Sequence, residues 1–245
     1  MTAASFAPEV LGLAGLVAVV AGVIRGITGF GGAMVMSPPL ALLLGPRVTV
    51  PVVLLLEGLA ALPMLWQTRR LVHWRTIGPI LAAACVTVPL GGHVLVSADA
   101  LTLRRAIAAT VIVFALLLLR GWRYGGPQRL GTSVGLGGLS GAMIGATSVG
   151  APPVILYLLS GPDPVATTRA NLTFFLAGIS VAALVMLWTR DVLDLRSAWV
   201  ALAFAPGYYC GLIAGSRLFS RFNYTRFRQF TLLLLVVVSG GIFLA

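Results

Sequence analysis

Two stretches of this sequence match each other. Gly26-Ile27-Thr28-Gly29-Phe30-Gly31-Gly32, followed by Ser37-Pro38-Pro39-Leu40-Ala41-Leu42-Leu43-Leu44-Gly45-Pro46, recurs as Gly141-Ala142-Met143-Ile144-Gly145-Ala146-Thr147-Ser148, followed by Ala151-Pro152-Pro153-Val154-Ile155-Leu156-Tyr157-Leu158-Leu159-Ser160-Gly161-Pro162. Each copy is a glycine break, then a proline pair, then a short leucine-rich run closed by Gly-Pro or Ser-Gly-Pro. Downstream, Val88-Pro89-Leu90-Gly91-Gly92 faces Ala205-Pro206-Gly207-Tyr208-Tyr209 in the same order. A duplicated order of breaks and apolar runs is the mark of a membrane protein built from two structural repeats.

The surrounding composition agrees. Of 245 residues, 59% are apolar and only 9% charged, with a mean hydropathy of +1.02. Soluble domains run near 25% charged, so this chain cannot cover a water-facing surface. Breaks and arginines cut it into ten apolar pieces: 9–27, 33–44, 49–66, 76–96 and 102–120, then 131–146, 151–160, 167–188, 196–215 and 228–245. The expected fold is an all-α polytopic membrane protein with two five-segment repeats, 9–120 and 131–245. The full-length pieces have the roughly 20 residues a span requires, whereas 33–44 and 151–160 reach only ~15–18 Å, about half the hydrocarbon layer. Each repeat therefore carries a broken or re-entrant hairpin. Met1 to Phe6 lacks a positive region, so the first piece reads as a membrane helix rather than a cleaved signal peptide.

All 17 basic residues are arginine, against six acids, for a net charge of +11. They fall almost entirely in short gaps between apolar runs, where they set orientation rather than bind nucleic acid. If each first pair of pieces is one broken span, the tally ties. If it is a hairpin, Arg69, Arg70, Arg75, Arg120, Arg123, Arg129, Arg169, Arg217, Arg221, Arg226 and Arg228 share one side, against Arg47, Arg104, Arg105, Arg190 and Arg196. Inserted proteins show such a bias, which favours the hairpin, inverted repeats, and both termini outside.

The breaks also hold the candidate chemistry. Unwound backbone at membrane depth survives only where protein or a watery cavity satisfies it. Gly31, Gly32 and Gly150 permit close approach of a ligand, and each short helix would aim a positive N-terminus into the protein centre. Proline pairs 38–39 and 152–153 suit the first turns of those helices. Thr28, Ser37, Thr147 and Ser148 would add hydroxyl donors, giving a small-anion site. The ladders Ala18/Gly22/Gly26, Gly137/Gly141/Gly145 and Gly207/Gly211/Gly215 instead read as close helix packing.

Arg25, Glu57 and Arg169 lie within or at the edge of membrane-depth sequence, where a charge faces a cavity or another charge. Arg25 and Arg169, the latter just ahead of Asn171, suit an anion's oxygens through guanidinium forks. Glu57 suits proton coupling, because a buried carboxyl takes up a proton more readily than a solvated one. The plainer alternatives are an Arg25–Glu57 structural pair and an Arg169 that marks a helix end. Trp188, Trp199, Tyr208 and Tyr209 fit an aromatic belt or helix packing. Cys85 and Cys210 have no neighbouring ligand, no His or carboxylate cluster has catalytic spacing, and no serine has an activating base. No cofactor and no enzymatic activity are expected.

These motifs together resemble the sulfite exporter TauE/SafE family. The resemblance rests on the two glycine-proline motifs, His73-Trp74-Arg75, the glycine pair after Pro89, Arg169-Ala170-Asn171-Leu172 before Phe174-Phe175, and the closing Phe227-Arg228. It implies a transporter in the bacterial inner membrane for sulfite, sulfonates or related organosulfur anions. The residues themselves give only a small anion, and leave open a passive channel, a carboxylate permease of the same fold, a non-transporting scaffold, and assembly as a homo-oligomer.

Overall fold

The computed structural model describes residues 7–29, 31–122, 124–126, 129–161, 163–218 and 224–244, without the side chains of residues 67, 165, 224–228 and 230. Met1 to Phe6, Phe30, Arg123, Pro162 and Arg221 therefore lie outside the described residues, as do the side chains of Arg226, Phe227 and Arg228. Everything regular in the described part is helical. The helices are α1 (Pro8–Thr28), α2 (Gly32–Leu44), α3 (Pro46–Thr68), α4 (Trp74–Ser97), α5 (Ala100–Leu119), α6 (Leu130–Thr147), α7 (Ala151–Leu158), α8 (Val165–Thr189), α9 (Leu195–Leu218) and α10 (Tyr224–Leu244). Each coincides with one of the ten apolar pieces, give or take a few terminal residues. Among the described residues, six helices (α1, α3, α4, α5, α8 and α9) are long and apolar enough to cross a membrane. The chain is an all-helical polytopic membrane protein.

Local chemistry sets the boundaries. Pro8 and Pro46 sit in the first turns of α1 and α3, where the missing N–H costs nothing. Asp99 caps α5, accepting from the Thr102 N–H at 2.8 Å and its hydroxyl at 2.7 Å. Those two bonds hold the Asp99 carboxyl below its ordinary pKa. One expectation fails here. Pro38 and Pro39 lie inside α2, whereas Pro152 and Pro153 do open α7. The reason is that α2 starts directly at the glycine break: Gly31, at φ 91°, is its N-cap, seven residues before the proline pair. The pair then leaves two carbonyls of the preceding turn without their usual donors.

Packing follows the small-residue ladders. α1 lies on α9: a Cβ at Gly22 would collide with the Tyr208 carbonyl, at Gly26 with that of Leu212, at Gly211 with that of Val19, and at Gly215 with that of Val23. α4 lies on α6 in the same way, with Gly137 against the Ile80 carbonyl, Gly141 against Ala84, Gly145 against Val88, and Gly91 against Ala142. Residue numbers rise together along both contacts, so both pairs run parallel. Lipid offers no hydrophobic drive for helix association, and such close backbone packing supplies it instead. Thr87 adds a hydrogen bond from its hydroxyl to the Gly138 carbonyl at 2.7 Å.

Between these pairs, α3 crosses α8 where Gly58 meets the Ser180 side chain. A short 3-10 turn, Arg69–Leu71, reverses the chain from α3 into α4. α4 runs parallel to α8, with Gly178 against Leu81 and Gly92 against Met186. α3 and α8 therefore run in opposite senses. Large apolar side chains such as Val86, Leu90, Val181, Leu202 and Val237 remain exposed on the outer helix faces, where a bilayer would solvate them.

Candidate functional site

α1 and α6 both stop inside the protein. α1 ends on Gly29 at φ 80°, whose N–H returns to the Arg25 carbonyl; α6 ends on Ser148 at φ 59°, whose N–H returns to that of Ile144. Only glycine adopts such angles without strain, so Ser148 is held there by its surroundings. Its hydroxyl meets the Ser37 hydroxyl of α2 at 2.9 Å, and also donates to the Thr147 carbonyl. Ser140 donates to the Gly150 carbonyl and ties the second break to α6. Thr28 and Thr147 turn their hydroxyls back onto helix carbonyls four residues earlier, at 2.8 and 2.7 Å.

The two breaks border a small pocket that is open on one side. Gly31, Ser148 and Gly150 line it from the breaks, and Glu57 and Ser180 from the crossing of α3 with α8. The rest of the wall is apolar, including Met34, Leu54, Ile144, Ile155, Leu176 and Ile179. α7 opens onto the pocket through Ala151 and Pro152.

Among the described residues Glu57 is the one charged residue lining this pocket, and it is not alone. Arg25 forms an ion pair with its carboxylate and also reaches the Glu57 carbonyl at 3.5 Å. Tyr208 of α9 donates its hydroxyl to Glu57 Oε1 at 2.8 Å. Arg25 and Glu57 are each only 5% exposed, so the pair is almost wholly withdrawn from water. Gly32, the first residue of α2, lies so close that a Cβ there would overlap Glu57 Oε1 and the Tyr208 hydroxyl. The positive N-terminus of α2 thus already faces a built-in carboxylate, whereas that of α7 faces the pocket.

With this geometry in view, the comparison with known proteins is decisive on one point. The family model for the sulfite exporter TauE/SafE matches residues 14–242, nearly the whole chain. The chain belongs to that family. TauE/SafE proteins are membrane transporters of sulfite and related sulfur anions, not enzymes, and they work within a lipid bilayer on a small-molecule substrate. No curated protein and no solved structure matches the chain.

In this TauE/SafE chain, the residues singled out from sequence fall into three groups. Gly31, Glu57, Ser148 and Gly150 line the pocket. Arg25, Thr28, Gly32, Ser37 and Thr147 stand immediately behind that wall, buried in the two breaks. Arg169 and Asn171 lie apart from both, in the first turns of α8. Arg169 is exposed there. Asn171 is fully buried, and its Oδ1 accepts the His73 N–H at 2.8 Å, which anchors the start of α4. Two polar groups of the TauE/SafE site were not anticipated: Tyr208, read as belt or packing, and Ser180. The Gly207/Gly211/Gly215 ladder held the signal for Tyr208. Tyr208 lies three residues before Gly211 and seven before Gly215, on the packed face of α9, and a buried phenol there needs an acceptor.

Proposed function

We propose that this protein is a secondary transporter that binds a small sulfur-containing anion, sulfite or a sulfonate, in the pocket between its two helix breaks. One observation carries the reading: among the described residues, the only charged side chain in the pocket wall is a carboxylate already neutralised by a buried arginine. An anion approaching ionised Glu57 meets repulsion in a medium of low dielectric constant. Once Glu57 takes a proton, the charge of Arg25 and the N-terminal dipole of α2 face the pocket uncompensated, and both attract an anion. Proton and anion thus enter together and neither binds well alone. On the opposite side the N-terminal dipole of α7 faces the pocket through Ala151, since Pro152 and Pro153 carry no N–H.

The repeats 9–120 and 131–245 are the framework for alternating access. Their inversion is supported by the exchange of partners, α1 on α9 and α6 on α4, and by the opposed senses of α3 and α8. The arginine-rich loops belong on the cytoplasmic side of a bacterial inner membrane, with both termini periplasmic. Proteoliposomes loaded with sulfite or a sulfonate test the function: saturable counterflow with trans-stimulation is the expected result. Flux that rises linearly with concentration and shows no trans-stimulation would identify a channel and overturn the transporter reading.

A further inference from the structure

The two glycine ladders end alike, and this lets positions be matched across the pocket. In α1, Gly22 meets the Tyr208 carbonyl and the left-handed cap Gly29 bonds the Arg25 carbonyl. In α6, Gly141 meets the Ala84 carbonyl and the left-handed cap Ser148 bonds the Ile144 carbonyl. Ile144 therefore stands where Arg25 stands, and Ala84 where Tyr208 stands, which corrects the sequence match of Pro89-Leu90-Gly91 with Pro206-Gly207-Tyr208: in the packed helices Gly91 answers to Gly215. α3 and α8 touch at Gly58 and Ser180, so the match of Glu57 is Ile179. Every member of the polar cluster has an apolar counterpart in the other half, and both isoleucines line the pocket.

The pocket is consequently two-faced. A compact inorganic oxyanion is hydrated all round, and against Ile144, Ile155, Leu176 and Ile179 it would lose water without gaining a donor. An anion with a hydrocarbon body has no such water to lose on that side and removes apolar wall from solvent. We propose that the pocket selects a small organic anion with a hydrocarbon body, an alkanesulfonate or alkanecarboxylate, its head beside Glu57 and Ser148 and its body against Ile144, Ile179 and Leu176. This rests on the anion-transport reading above and narrows it to one substrate class.

Calorimetric titration of the purified protein in maltoside micelles tests it, using sulfite, the straight-chain sulfonates from methanesulfonate to butanesulfonate, and the matching carboxylates. Affinity is expected to rise about three- to fourfold per methylene, equivalent to ~0.8 kcal/mol each, with sulfite weakest. The steeper and tighter of the two series identifies the head group. Ile179→Thr, which keeps a branched side chain but puts a hydroxyl into the apolar wall, should flatten the dependence on chain length, and an unchanged slope overturns the inference. A flat wild-type series, or sulfite binding as tightly as butanesulfonate, overturns this inference and leaves the anion site standing. Absence of binding by every one of these anions overturns both.

Discussion

Replacing Glu57 by glutamine isolates the charge at the centre of the site. The amide keeps the volume of the carboxyl and can still accept from Tyr208, which lies 2.8 Å from Oε1. What it removes is the counter-ion of Arg25, a guanidinium only 5% exposed. Breaking a buried pair from one side costs about 3–5 kcal/mol, because the remaining charge stays buried without compensation. At roughly 2–4 °C per kcal/mol for a chain of this size, the melting temperature should fall by about 6–20 °C. The double variant Arg25→Gln/Glu57→Gln removes both charges and should recover most of that loss. Added anion should stabilise Glu57→Gln more than the wild type, since it then supplies the missing negative charge. In proteoliposomes the same variant should bind substrate at all pH values but lose flux driven by a pH gradient. Unchanged gradient-driven flux in Glu57→Gln would refute the proton-carrying role. A melting temperature equal to wild type would refute the account of the buried pair.

Gly26→Leu should prevent α1 from seating on α9, since even a Cβ there collides with the Leu212 carbonyl, whereas Gly12→Ala, with nothing within 4 Å, should be tolerated; melting curves of the two compared with wild type decide this. Arg169→Ala alters an exposed residue outside the pocket, so anion affinity measured by titration should change by no more than about fivefold. Complete loss of binding would return Arg169 to the substrate site. For orientation, alkaline phosphatase fused after Ala245 should be active and the same enzyme fused after Gly125 inactive, and the reverse pattern would invert the assignment of sides.

The sequence spelled out the helices because each is an apolar run bounded by proline, glycine or arginine, and those residues act locally. It did not spell out partners. A ladder such as Gly207/Gly211/Gly215 says that some backbone comes close, but nothing within it names α1 as that backbone. The proline pairs show a second limit. The same dipeptide opens α7 yet sits inside α2, because the position of the preceding break, not the prolines, decides where the helix begins. The pocket was legible at its two breaks, Gly29–Gly32 and Thr147–Gly150, where glycine and hydroxyl residues depart from helical spacing. Its apolar wall was not, since Ile144 and Ile179 resemble any other membrane isoleucine until the helices are brought together. Arg25 and Glu57 were conspicuous as rare charges and their pairing was one of two readings; the fold decides for the pair and adds Tyr208.

The exchange of partners between the two halves also dictates an order of events during synthesis. When the first five helices have been inserted, α1 still lacks α9 and α4 still lacks α6, so both glycine faces and their carbonyl rows look out onto lipid. Nothing within that half can close them. Helix α6 must emerge before α4 is seated, and α9, near the end of the chain, before α1 is. The nascent protein therefore carries its most intimate contacts as debts of long range, settled only as translation finishes. A break in the chain between Leu119 and Leu130 should be survivable if both fragments are made together.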